Sequence, residues 1–164
     1  MSMKLLLTTA TAILLLAVSS FAQETESTID AKIEKYVDVW DRIVNEGKLE
    51  LFNDSNFTPD IVIHAGPEDI VGLQAVSDFY ANYLTGFSDI TFTVKDCFGQ
   101  GDKIVKHWTF EGTHTGEFFG IAPTGKEVKI DGVTLVRMEG DRIAEEQDFM
   151  DNLEFMQQLG LIPR

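Results

Sequence analysis

The side chains in this sequence best suited to moving a proton are Asp148, His64, His107 and His114. Asp148 is followed by Phe149 and Met150, near the end of what reads as the last strand. A carboxylate in apolar surroundings is penalised in its charged form and can take a proton from a carbon next to a carbonyl. The alternative is an exposed aspartate favoured by a nearby helix N-terminus, but Asp151 suits that capping role better. His64 ends the run Ile61-Val62-Ile63-His64. A neutral imidazole at a strand end can bond a substrate oxygen, or merely a local turn carbonyl. His107 and His114 lie seven apart in one β run, so strict alternation sends them to opposite faces. His107 is the candidate for the site, and His114 the candidate brace for the loop over Gly116 to Gly125. Spacing suggests no metal set, since no three or four ligands cluster.

These residues need elements to hold them. Ile29, Ile33, Tyr36, Val37, Trp40, Ile43 and Val44 follow helical spacing up to Gly47. A short helical piece near Leu49–Phe52 and a strand Ile61–His64 follow, then a second amphipathic helix from Gly72 to Phe87. Beyond it the texture alternates: Ile90–Val94, Lys103–Thr115, Lys126–Met138 and Ile143–Phe149 read as strands, and Asp151 caps a last helix through Gln158. Helices followed by a run of strands predict an α+β fold. We expect a curved antiparallel sheet packed on the N-terminal helices as a cone, with an internal pocket at its mouth. Trp40, Tyr83, Trp108, Phe118 and Phe119 are the candidate pocket lining. Phe118 and Phe119 fall in a loop, where they would form a lid, a dimer contact or a fold-back over the sheet edge. Cys97, the single cysteine, reads as a small core hydrophobe.

The start of the chain reads as a leader. Lys4 precedes an uncharged run over residues 5–18, and Ser20 and Ala22 stand at −3 and −1 of a cut after Ala22. That run falls short of the ~20 residues needed to span a bilayer. Residues 1–22 are therefore expected to be a cleaved signal peptide and residues 23–164 one domain, secreted or periplasmic, with no membrane contact after cleavage. The formal net charge is −14 and the cations are scattered singly, which argues against nucleic acid as a partner. The Gly-x-Ser-x-Gly elbow, the His-Glu-x-x-His pair and the dinucleotide fingerprint do not occur, and Gly125-Lys126 lacks the flanks of a phosphate loop.

Three segments carry a family resemblance: Gly112 to Lys126 (GTHTGEFFGIAPTGK), Gly140 to Asp148 (GDRIAEEQD) and Gln157 to Gly160. They resemble the SnoaL-like ester and polyketide cyclases, whose fold is the cone of nuclear transport factor two-like proteins. The resemblance implies ring closure by intramolecular aldol condensation without metal or cofactor, with an aspartate matching Asp148 taking a proton from an activated carbon. Where such sites often carry a histidine on the preceding strand, this chain has Thr134. Characterised members act inside the cell, so the leader is a second departure. The expected function is acid–base catalysis of cyclase, isomerase or hydrolase type on a small apolar carbonyl or ester compound. The alternatives are a non-catalytic binder of small hydrophobes and a dimeric interaction module, since one fold hosts many functions.

Overall fold

The computed structural model describes residues 29–163. The expected signal segment and its cut after Ala22 lie outside the described residues. Helix α1 covers residues 29–45 and is followed by a 3-10 turn, Leu49–Leu51. Strands β1 (Phe57–His64) and β2 (Ile70–Val71) lead into helix α2 (Leu73–Gly86). Then come β3 (Phe87–Gln100), β4 (Lys103–His114), β5 (Glu127–Glu139), β6 (Arg142–Met150) and helix α3 (Asn152–Gln158).

One six-stranded sheet runs in the order β2-β1-β6-β5-β4-β3. The fold is α+β, as expected, but the sheet is mixed. Strand β1 pairs parallel to β6, because the chain between them crosses the molecule before returning; the other pairs are antiparallel. Strands β4 and β5 alternate almost perfectly between buried and open positions. Their buried set, Ile104, Trp108 and Phe110 with Val128, Ile130, Val136 and Met138, faces the helices. From α1, Tyr36, Val39, Trp40 and Ile43 meet this face, the 3.6-residue stripe of a core-facing helix. Gly47 ends the α1 region at φ 69°, a conformation glycine adopts without a Cβ clash. Asp151 accepts a hydrogen bond from the Glu154 N–H at 2.9 Å and so caps α3, as its sequence position predicted.

Two strands run beyond their sequence expectation. β3 starts at Phe87 rather than Ile90, and its register shifts between Ser88 and Thr91 and again between Val94 and Asp96. Each bulge breaks the period of two on which a strand is recognised. β1 starts at Phe57, and its pairing to β6 is irregular between Phe57 and Val62, around Pro59, which has no N–H to give to a ladder.

Candidate functional site

The cross-strand register stacks three rows of side chains on the inner face of the sheet. Lys106, Thr134 and Asp148 form one row; Trp108, Gly132 and Met150 form the next; Ile104, Val136 and Glu146 form the third. Between this face and the helices lies a cavity of about 110 Å³, open at one side. Trp40, Tyr80 and Tyr83 line it from the helices, and Phe92, Lys106, Trp108 and Asp148 from the sheet. Its wall is mostly hydrocarbon, with a carboxylate and an amine set into it.

Asp148 is held from both sides. The Thr134 hydroxyl donates to Oδ1 at 2.5 Å, and the Tyr80 hydroxyl donates to Oδ2 at 3.3 Å. Thr134 in turn accepts the Trp108 Nε1–H at 2.9 Å. With its acceptor role filled by the indole, the Thr134 proton is directed at the carboxylate. Burial, together with the neighbouring Asp148, pushes the Tyr80 hydroxyl well above the usual phenol range, so it stays a proton donor. Trp108 can lie flat over β5 only because residue 132 is glycine. A Cβ there would stand 2.2 Å from Cζ2 of the indole. Gly132→Ala is therefore expected to displace the ring, break the Trp108–Thr134 bond and cost about 1–3 kcal/mol as an overpacked core does. Urea denaturation followed by tryptophan fluorescence measures it, and an unchanged midpoint would contradict this packing.

Beside Asp148 lies a second, deeper polar cluster. Glu146 is fully buried, and its Oε1 accepts the Tyr36 hydroxyl at 2.5 Å and the Trp40 Nε1–H at 3.0 Å. Its Oε2 has no partner among the described residues. Burial pushes the Glu146 carboxyl up to about 7, with nearby Asp148 adding to the rise; Lys106 and the two hydrogen bonds pull the other way. Lys106 is 3% exposed. Its Nζ lies 4.5 Å from the Trp40 ring centroid, 5.1 Å from Tyr36 and 5.3 Å from Phe92. Burial lowers the Lys106 ammonium below the usual lysine range, while Glu146, Asp148 and Cys97 oppose that shift. Among the described residues no group of three or more His, Cys, Asp or Glu side chains is placed to hold a metal ion.

The SnoaL-like polyketide cyclase family matches residues 33–159. The chain belongs to that family. No curated protein matches its sequence. Among solved structures, this SnoaL-like chain resembles TsrD from Streptomyces laurentii at 23% identity and TM-score 0.73, covering 80% of this chain and 97% of that one. It also resembles a SnoaL-like protein from Jannaschia sp. CCS1 at 23% identity and TM-score 0.67, over 79% and 94% of the two chains. IdmH from Streptomyces antibioticus, a candidate polyketide cyclase, is 28% identical with TM-score 0.62, over 76% and 98%.

In this SnoaL-like fold the expected site residues separate by strand parity. Asp148, Trp40, Tyr83 and Trp108 line the cavity. His64 and His107 do not. His64 pairs with Gln147 and His107 with Val133, positions on the outer face, opposite Glu146 and Thr134. His64 is bonded there at Nδ1 to Asp69 (2.7 Å) and at Nε2 to Glu145 (3.0 Å). Both carboxylates push its imidazole above the usual range. His114 is buried on the inner face, seven residues and one face away from His107. Its Nδ1 bonds Thr124 (Oγ1 at 3.1 Å, N at 3.3 Å), which braces the loop as its position suggested. Phe118 and Phe119 also fall outside the cavity lining. Phe118 folds back into the core against Phe87, Tyr83 and Phe155, and Phe119 lies on Phe79 and Tyr83 at the surface. Cys97 is half-buried against the core, and burial pushes its thiol up to about 11, away from thiolate chemistry. Glu146 and Lys106 were not singled out from sequence, although both sit at inward positions of alternating runs.

Proposed function

We propose that this SnoaL-like protein is a cofactor-independent acid–base enzyme. It would remove a proton from the carbon beside a carbonyl in a small, largely apolar compound. Ring closure would follow where the resulting enolate carbon reaches a second carbonyl of the same molecule, which is in keeping with the word cyclase in the family name. The observation that carries this reading is Asp148. Its carboxylate stands in the wall of an apolar cavity with each oxygen held by one hydroxyl. Those two contacts fix the carboxylate and leave it as the base facing the ligand. Lys106, in the same row, favours the electron-rich oxygen that forms as the proton leaves.

Size limits the substrate. An engineered cavity of about 150 Å³ in another protein admits benzene, so the enclosed space here suits about one ring, with any longer part passing through the open side. The leader pattern over residues 1–22 supports action outside the cytoplasm. The outer sheet face shows exposed Phe98, Leu135 and Phe149, which supports pairing with a second copy there. A passive binder of hydrophobes has less support, because a carboxylate and an amine in the wall cost desolvation that a purely apolar lining would avoid.

The test is hydrogen–deuterium exchange at the methyl carbon of an aryl methyl ketone such as acetophenone, followed by NMR in deuterated water. Exchange above the buffer rate that depends on Asp148 supports the reading. Exchange no faster than in buffer, for acetophenone and for longer ketones alike, removes it.

A further inference from the structure

Lys106 is costly where it stands. A buried ammonium loses its hydration, and the usual compensation is a directly bonded carboxylate. Among the described residues the Lys106 Nζ has no hydrogen bond or ion pair; its surroundings are the faces of Trp40, Tyr36 and Phe92. Glu146 spends one oxygen on Tyr36 and Trp40, and both Asp148 oxygens are occupied by hydroxyls. The amine nevertheless lines the cavity, on the same row of the sheet as the proposed base. A desolvated lysine whose amine is bonded to no acceptor, open to a ligand and next to a base, is the arrangement by which amines bond carbonyl carbons.

We propose that Lys106 is a covalent catalytic residue that forms an imine with a small aldehyde or ketone in this cavity. This deepens the acid–base reading and rests on it for the subsequent proton step; the covalent role of Lys106 replaces its role beside the enolate oxygen. The Nζ lone pair attacks the carbonyl carbon, forming the C–N bond while the carbonyl π electrons move to oxygen. That oxygen gains one proton from the amine and one from solvent at the open side, and leaves as water. The nitrogen, now in a C=N⁺ bond, draws electrons from the neighbouring carbon, whose proton passes to Asp148. The enamine carbon so formed attacks a second carbonyl, whose oxygen takes the proton held by Asp148, and water then hydrolyses the iminium to the free amine and the product carbonyl, returning one proton to solvent. The balance is one water out and one water in, with no oxidant or reductant. The lowered ammonium pKa of Lys106 agrees with this role, since only the neutral amine attacks.

The experiment traps the imine in the wild-type protein. Benzaldehyde, a one-ring carbonyl without an α-proton, is added with sodium cyanoborohydride, and benzylated lysines are mapped by peptide mass spectrometry. Expected is faster labelling at Lys106 than at the exposed lysines, because burial lowers its ammonium and leaves more of the amine neutral at a given pH. Acetophenone should slow labelling at Lys106 only, and Lys106→Met should remove that one label. Labelling confined to the exposed lysines overturns the proposal. If acetophenone still exchanges its methyl protons through Asp148 while Lys106 stays unlabelled, the imine fails and the acid–base reading stands. If Lys106 is labelled but exchange is absent, the imine stands and Asp148 is not the base.

Discussion

Asp148→Asn is expected to lower ketone α-proton exchange by about 10²–10⁴-fold, the usual worth of a positioned general base. The folded protein should survive the change. The amide keeps the shape of the carboxylate, and its oxygen can still accept the Thr134 hydroxyl. The amide nitrogen then faces Tyr80, whose hydroxyl can turn to accept instead of donate, across a contact that is already 3.3 Å long. One reoriented hydrogen bond costs about 1 kcal/mol, well within the stability of a domain. Activity and stability therefore separate: a large loss of exchange with a small shift in the urea midpoint. Thr134→Val supplies the control. It removes the hydroxyl that aims at Oδ1 but keeps the carboxylate, so its exchange should fall less than that of Asp148→Asn. Full exchange by the Asn variant would show that the base lies elsewhere in the cavity.

How much of this was legible beforehand depended on parity. Where alternation is nearly unbroken, as from Lys103 to His114 and from Glu127 to Glu139, the strands and their core faces can be read from residue types. Where a bulge adds a residue, as in β3, the period is lost and the strand looks shorter than it is. The same logic explains the site. His64 seemed placed for chemistry because it ends a strand, yet facing is set by odd or even position, and its pairing with Gln147 turns it outward. Glu146 lies in Glu145-Glu146-Gln147-Asp148, a stretch that reads as a solvated strand face. Counting by two from Asp148 places Glu146 inside with it. Lys106 was open to the same count, lying between Ile104 and Trp108 on the apolar side of β4. A charged residue in phase with a core stripe was the available signal. Which charges are paired, and which oxygen is left over, depends on α1 crossing the sheet and had no local trace.

Glu146 carries the largest expected effect on stability. Alanine there would strip the Tyr36 hydroxyl and the Trp40 indole of their shared acceptor and remove a negative charge that helps keep Lys106 protonated. Removing one partner from such a buried set costs about 3–5 kcal/mol. Glutamine keeps the volume and an oxygen for both donors, so Glu146→Gln should be much milder, and its difference from the wild type should depend on pH. The carboxyl is raised from 4.5 in the unfolded chain to about 7 when folded. A raised acid favours the folded state fully below 4.5, and that contribution is lost as pH rises through about 7. The loss is about 3 kcal/mol at 1.4 kcal/mol per pH unit. Glutamine does not titrate, so between pH 5 and pH 8 the variant should gain on the wild type by most of that amount. The groups facing Glu146 do not reverse the sign. Tyr36 stays protonated throughout, because burial and Glu146 itself raise it well above 10. Lys106 meets an uncharged residue at position 146 in the variant at every pH, and in the wild type wherever Glu146 is protonated. Asp148 is present in both proteins. Urea denaturation of wild type, Glu146→Gln and Glu146→Ala at the two pH values decides the matter. Parallel behaviour of wild type and Glu146→Gln would mean that the carboxylate is charged across the whole range, held by Lys106 as a buried ion pair.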